Sequence, residues 1–136
     1  MVRKNATLKP SLRPFEDAYY RVKLRIATER SKTSCDKVLV AQLKEEKRQL
    51  KDIVSHLDRR VSITALYVFN MTDAVLELLR VFLKEELQTM LRGGRNEKNR
   101  LYVERQNELN VVLAEQKRRT EQAVAKLAVE PIANAA

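Results

Sequence analysis

The amino-acid sequence predicts an all-α protein: an elongated helical hairpin or bundle with a long central helix, pairing as a coiled-coil or four-helix-bundle dimer. Among 136 residues, 33% are charged, 5% are aromatic and none is Trp, which leaves little material for a thick globular core. The two Gly are adjacent at 93 and 94, and the three Pro lie at 10, 14 and 131, so residues 15–92 contain no strong helix breaker. Apolar residues also recur every three or four positions, which is the period of an α-helix.

Residues 1–13 are predicted to form a basic N-terminal arm, and a first helix follows over about residues 14–32. Pro14 suits the first helical position, where its missing N–H costs nothing, and Glu16 and Asp17 then face the positive end of the helix dipole. Thr33 and Asp36 have the spacing of a weak capping box, which predicts a break before the next helix. One continuous helix stays open as an alternative, because the heptad phase agrees on both sides of this segment.

The central helix is predicted over residues 36–92, with a heptad repeat. With Val40 at position a, eleven of the fourteen a and d positions are apolar, with Val dominating a and Leu leading d, as in a two-stranded parallel coiled coil. Lys47 is a polar residue at position a, which fixes register, and Glu46 and Lys51 have the spacing of an ion pair between chains. The predicted oligomer interface consists of Val40, Leu43, Leu50, Val54, Leu57, Val61, Val68, Met71, Val75 and Leu78. An antiparallel hairpin within one chain uses nearly the same pattern and stays open as an alternative.

A third helix is predicted over about residues 96–129, folding back along the second half of the central helix. Residues 61–92 carry apolar side chains outside positions a and d, and such a helix needs cover on several sides. The adjacent Gly93 and Gly94 are typical of the turn that ends a helix. The stripe of the third helix is Tyr102, Leu109, Val112, Leu113, Ala123 and Leu127. Pro131 is predicted to end it, so the helical domain spans 14–129 and residues 130–136 form a tail.

The residues give no support for catalysis or for a metal site. Ser55, His56 and Asp58 lie close in sequence, but successive residues of a helix point about 100° apart, so the three cannot align as a triad. His56 falls at position c and is predicted to face solvent. Cys35 and His56 are the only Cys and His and belong to no ligand cluster. The sequence therefore predicts no enzyme activity, no metal, no cofactor and no small-molecule substrate.

Positive charge is concentrated near the N-terminus. Residues 1–32 hold nine Lys or Arg against three Asp or Glu, in a chain of net charge +9. Such an array can neutralise a nucleic-acid backbone without reading its bases. The predicted nucleic-acid-binding residues are Arg3, Lys4, Lys9, Arg13, Arg21, Lys23, Arg25, Arg30 and Lys32.

These features predict a structural, self-assembling helical protein that coats or packages nucleic acid, DNA or RNA, without sequence specificity. In general design, and without a shared motif, it is similar to the small basic helical coat proteins of filamentous viruses and to bacterial nucleoid proteins. The expected partners are a second copy or a related helical chain, together with nucleic acid bound through its phosphates. An intracellular or virion-associated location is favoured over secretion.

Other functions remain open. One is a coiled-coil subunit of a hetero-oligomeric adaptor, tether or cytoskeletal complex that binds no nucleic acid. A weaker one is a helical dimer that presents Lys and Arg to acidic lipids at a membrane surface. A spanning helix is not expected, because the most apolar run contains Asn70, Asp73, Glu77 and Arg80, which are costly in a bilayer.

Overall fold

The structure is a computed structural model that describes residues 12–94, 96 and 98–135, and this part of the chain contains helices and no strand. The helices are α1 (Arg13–Arg30), α2 (Lys37–Asp58), α3 (Ala65–Phe69), α4 (Asp73–Arg92) and α5 (Arg100–Ala135). α1 and α2 form one antiparallel hairpin, α4 and α5 form a second, and α3 packs on α5. The all-helical class predicted from the sequence is therefore confirmed.

The first hairpin forms because the chain turns between Arg30 and Lys37, where the sequence predicts a break. Asp36 caps α2, since its Oδ1 accepts the N–H groups of Val38 and Leu39 at 3.0 and 3.1 Å. An apolar stripe on α1 faces α2 and the core. Phe15, Val22 and Ile26 are buried, and Tyr19 packs half-buried beside them.

The predicted central helix over residues 36–92 is interrupted twice in the structure. α2 ends at Asp58, and Arg60 then takes a left-handed conformation with φ of 57°. The N–H of Arg60 bonds to the oxygen of Leu57, and that of Val61 bonds to the oxygen of His56, which is the Schellman pattern of helix ends. Because Gly usually occupies the left-handed position, the sequence shows no conventional stop signal here.

Threonine caps start the two helices that follow. The Oγ1 of Thr64 accepts the N–H of Tyr67 at 3.2 Å, and the Oγ1 of Thr72 accepts the N–H of Val75 at 3.3 Å. Threonine favours the extended conformation that a cap requires. The apolar phase nevertheless continues across both interruptions, because Val68 and Val75 belong to one core with the residues of α2. That continuity is why the pattern resembles a single helix.

The predicted oligomer interface is used inside the single chain. The residues buried there are Val40, Leu43, Leu50, Leu57, Val68, Met71 and Val75. Val54 and Leu78 pack half-buried against the same core, and Val61 is 43% exposed. These residues therefore pack within the single chain, as in the hairpin alternative. Apolar surface that other helices of the chain already cover is not available to a second copy in this arrangement, and pairing with another chain stays a prediction.

α5 folds back along α4 as predicted, but it extends further than the sequence suggests. It continues to Ala135, past the predicted stop at Pro131, since proline removes only one backbone hydrogen bond and raises the cost of a helix without always ending it. Leu109 and Val112 are buried, whereas Leu127 is 66% exposed. Every residue over 120–128 is exposed, so the end of α5 projects beyond the body.

Gln49 of α2 links the two hairpins. It is 6% exposed. Its Nε2 donates to the oxygen of Asn70 at 3.0 Å, and its Oε1 accepts the N–H of Thr72 at 2.8 Å. One side chain thus satisfies a backbone acceptor and a backbone donor beside the cap of α4. An edge-to-face contact of Phe15 with Phe82, with centroids 5.2 Å apart, adds an apolar link between the hairpins.

Arg119 anchors α5 to the start of α4. Its guanidinium donates to Asp73 at 2.7 Å, to the oxygen of Phe69 at 3.1 Å and to Glu115 at 2.7 Å. Glu115 also accepts from Nε of Arg118 at 3.0 Å. The hydrogen bonds from Arg118 and Arg119 lower the pKa of Glu115 to about 2 despite its desolvation. α5 is therefore held to the body as far as Arg119.

A buried ionic cluster fixes the segment that follows α2. Arg105 is 8% exposed; its Nε lies 2.9 Å from Oε1 of Glu86, and it also bonds to Glu108. Glu108 accepts the N–H of Ile63 at 2.8 Å. Burial raises the pKa of Glu86, although Arg105 opposes the shift. The cluster joins α4, α5 and the connecting segment in one place.

Candidate polyanion-binding groove

The turn between α1 and α2 uses its carboxylates for hydrogen bonds that hold the two helices side by side. Glu29 is 6% exposed. Its Oε2 accepts the N–H of Asp36 at 2.9 Å, and its Oε1 accepts from Nζ of Lys32 at 3.0 Å. The Asp36 hydrogen bond, followed by that of Lys32, lowers the pKa of Glu29. The turn is therefore fixed by acids that do not face the groove described next.

A groove runs along the surface between α1 and α2. Its first part, of about 370 Å³, is lined by Tyr19, Ile26 and Arg30 of α1 and by Lys44, Lys47, Arg48 and Lys51 of α2. Its second part, of about 340 Å³, is lined by Arg30, Cys35, Lys37, Val40, Ala41 and Lys44. Because Arg30 and Lys44 line both parts, the two parts are adjacent along the groove. No carboxylate lines either part.

The lysines of α2 form a row along this groove. Lys37, Lys44 and Lys51 follow one another at intervals of seven residues, which places them on one side of the helix about 10 Å apart. Arg30 lies opposite on α1, with Lys23 seven residues before it on the same side. Within the described part of the chain, none of these five side chains has an ion-pair partner. Their positive charge is therefore not neutralised by an ion pair within the described residues.

Lys47 contributes to the groove through Tyr19. Its Nζ lies 5.7 Å from the centroid of the Tyr19 ring, which is a cation–π arrangement. The heptad interpretation assigns Lys47 to an interface between chains and Lys51 to an ion pair with Glu46 across it. In the structure both lysines line the groove instead, because the antiparallel hairpin places α1 against this side of α2.

Glu45, one of the carboxylates beside the lysine row, is already paired. Glu45 accepts from Nε of Arg48 at 3.0 Å and from Nε2 of Gln49 at 2.9 Å. These two hydrogen bonds, the Arg48 bond first, lower the pKa of Glu45 to about 2. Arg48 is thus neutralised by Glu45. The positive potential of the groove comes from its lysines and Arg30.

The nine predicted nucleic-acid-binding residues fall into three groups. Arg3, Lys4 and Lys9 lie outside the described residues. Arg21, Lys23, Arg25 and Arg30 are exposed on α1, and Arg30 alone among them lines the groove. Arg13 and Lys32 are engaged with Asp17 at 3.8 Å and Glu29 at 3.0 Å. The structure therefore brings one predicted cation to the groove and leaves three others on the neighbouring surface of α1.

Sequence reasoning missed the four lysines that α2 contributes. The charge count near the N-terminus stops at residue 32, and the heptad pattern assigns the helix that contains α2 to an interface between chains. No prediction therefore covers Lys37, Lys44, Lys47 and Lys51 as a site. The seven-residue spacing of Lys37, Lys44 and Lys51 is the signal that finds them. Residues at this spacing share a helix face whether or not the face meets a partner.

His56, one of the remaining candidates for chemistry, makes contacts within the fold. His56 stacks on Tyr67 with centroids 4.0 Å apart, and its Nε2 lies 3.1 Å from the oxygen of Ser62. It is half-buried rather than solvent-facing, because the chain turns back after α2 and covers it. No group of three or more His, Cys, Asp or Glu within residues 12–94, 96 and 98–135 could hold a metal ion. No helix in this same part is both long and apolar enough to cross a membrane.

Fold and site together define an all-α protein of two helical hairpins, with a basic groove along the first. No protein-family model, no curated protein and no solved structure matches the chain.

Proposed function

We propose that this is a structural, self-associating helical protein that coats or packages nucleic acid by binding its phosphates without sequence specificity. The observation that carries the proposal is the groove, where Lys37, Lys44 and Lys51 lie opposite Arg30 and no carboxylate lines the surface. Unpaired cations in a row repel one another. A polyanion relieves that repulsion and releases its own condensed counterions on binding.

The chemistry of the groove supports backbone binding rather than base recognition. Lysine ammonium groups are point charges on flexible stems, and they bind phosphate without the directional pairs that distinguish bases. No Asn, Gln or Asp lines the groove. The exposed cations Arg21, Lys23 and Arg25 on α1 extend the positive surface beside it. Arg3, Lys4 and Lys9 are proposed to add further phosphate contacts.

The test is the binding of mixed-sequence nucleic acid by the full chain, measured by fluorescence anisotropy at 50 and 200 mM salt. The wild-type protein should lose affinity steeply as salt rises, since each phosphate contact releases counterions. The double variant Lys44→Glu, Lys51→Glu should lose at least about tenfold in affinity at low salt. The matched control Lys84→Glu, Lys126→Glu changes two exposed lysines elsewhere and should lose much less. Equal losses in the two variants would contradict a binding site in the groove.

A second candidate function is a helical subunit of a hetero-oligomeric adaptor, tether or cytoskeletal complex. The observation that favours it is the end of α5, where residues 120–128 are all exposed. Val124 is 60% and Leu127 is 66% exposed there. A second helix lying along this segment would cover both. This candidate requires that the full chain, groove intact, binds no nucleic acid in the experiment above.

A further inference from the structure

The lining of the groove is not uniformly basic. Its apolar part helps to decide whether the groove binds single-stranded or double-stranded nucleic acid. Between the cations lie Tyr19, Ile26, Val40 and Ala41. The groove thus has charged margins along a partly apolar floor. A ligand that fills it must offer negative groups at its edges and flat or apolar groups towards the floor.

A single strand has these two properties and a duplex does not. In a duplex the bases are stacked inside and the outer surface presents sugar and phosphate, so a duplex would contact the margins and leave the floor unused. A single strand can direct its phosphates to the lysines and turn an unstacked base towards the floor.

Tyr20 supplies a second observation. It is 61% exposed, and its ring meets that of Tyr19 edge to face with centroids 5.7 Å apart. Tyr19 lines the groove, so an exposed aromatic face lies beside the groove's end. Exposed aromatic rings beside a basic groove are the usual platform for the bases of a single strand.

We infer that the groove binds single-stranded nucleic acid, with phosphates on Arg30, Lys44 and Lys51 and a base stacked on Tyr20. This inference rests on the proposed function and narrows it to one class of ligand. DNA and RNA single strands share the chemistry, and both are arms of the test.

The experiment compares a twelve-nucleotide thymidine strand, the matching uridine strand and a twelve-base-pair duplex, all bound by the full chain and measured by fluorescence anisotropy. At least one strand should bind about tenfold or more tightly than the duplex. In Lys44→Glu, Lys51→Glu the slope of log affinity against log salt should fall by about 1.4, because each phosphate contact of a single strand contributes about 0.7. Lys84→Glu, Lys126→Glu should leave that slope unchanged.

Tyr20→Ala separates stacking from charge. It should weaken strand binding about fivefold or more without changing the salt slope, since stacking on an aromatic ring contributes about 1–3 kcal/mol per base. Circular dichroism of each variant checks that the helices are intact. An unchanged affinity in Tyr20→Ala would overturn the stacking contact.

The outcomes distinguish this inference from the proposed function beneath it. Binding of the duplex as tight as that of both strands, lost in the groove variant, would overturn the inference and leave nucleic-acid binding standing. No binding of strands or duplex would overturn both. Vesicles of phosphatidylglycerol and phosphatidylcholine form the last arm: binding to them alone would assign the groove to an acidic membrane surface and would also overturn both.

Discussion

At the scale of single residues, the polar side chains that join separate segments determine how the two hairpins meet. Gln49 is the clearest case, because its amide satisfies the oxygen of Asn70 and the N–H of Thr72. Gln49→Ala should lower the free energy of unfolding by about 1–3 kcal/mol, since two backbone groups would lose their partner in a partly buried place. Urea unfolding followed by circular dichroism measures the change. Gln42→Ala, at an exposed position of the same helix, is the matched control and should change the free energy by less than about 0.5 kcal/mol.

The lowered pKa of Glu115 predicts how the free energy of unfolding depends on pH. Its pKa in the folded protein is about 2, against an ordinary value of 4.5, because Arg118 and Arg119 donate hydrogen bonds to it. A depressed pKa stabilises the folded state above pH 4.5, and this contribution is lost as the pH falls from 4.5 towards 2. Glu115→Gln should therefore make the free energy of unfolding less dependent on pH in this window. Urea titrations at several pH values test this prediction. Glu121→Gln, at an exposed position of the same helix, is the control. An identical pH dependence in Glu115→Gln and in the wild-type protein would contradict the prediction.

Apolar residues were predictable from the sequence and these polar ones were not. Phe15, Leu50 and Val75 recur with the helical period, and burial follows that period directly. Gln49 and Arg119 bond to segments 21 or more residues away in the chain, and no local pattern marks such a partner. The same limit applied to the groove, whose cations come from two helices.

At the scale of helices, the end of α2 depends on one unusual residue. Arg60 has φ of 57°, and a left-handed conformation costs a residue with a Cβ roughly 1–2 kcal/mol. Arg60→Gly should raise the free energy of unfolding by about 0.5–1 kcal/mol, because glycine adopts this conformation without the steric cost but loses more entropy on folding. Thermal and urea unfolding would both show the gain.

A second substitution at the same position tests the cause of that gain. Arg60→Val removes the same charge, but its branched side chain disfavours a left-handed conformation even more strongly. It should lower the free energy of unfolding where Arg60→Gly raises it. Stabilisation by both variants would show that the guanidinium, and not the backbone conformation, is unfavourable at this position.

The helix boundaries show where periodicity stops being informative. The turn after α1 was predictable because Asp36 offers a cap that the sequence displays. The interruption after α2 was not, because a Schellman turn with Arg60 keeps the apolar phase and lacks glycine. Thr64 and Thr72 were visible as residues that favour caps. The sequence does not predict helix starts at these two threonines, because the apolar period continues past both of them. It continues because α2, α3 and α4 contribute to one core.

At the scale of the whole molecule, the same stripe that predicts a dimer builds the interior of one chain. An apolar helix face specifies burial but not the partner that covers it, and α1 covers that of α2 here. The pairing then creates the groove, since two helices must lie side by side before Arg30 can face Lys44. Self-association, if it is to serve a coating function, must therefore use surface outside this core.

The end of α5 carries some of the exposed apolar surface of the described chain, with Val124 60% and Leu127 66% exposed, and a shortened chain tests whether copies associate there. From Arg119, the last of its described side chains that bonds to another helix, α5 runs on for about 24 Å to Ala135 at about 1.5 Å per residue. A chain ending at Thr120 should unfold with a free energy within about 0.5 kcal/mol of the full chain, because the described side chains that it loses, those of residues 121–128, are exposed and changes at exposed positions cost little. Light scattering should show a smaller assembly for the shortened chain, since Val124 and Leu127 are then missing. A larger loss of stability would mean that this segment packs on its own body, and an unchanged assembly would place the contacts between copies elsewhere.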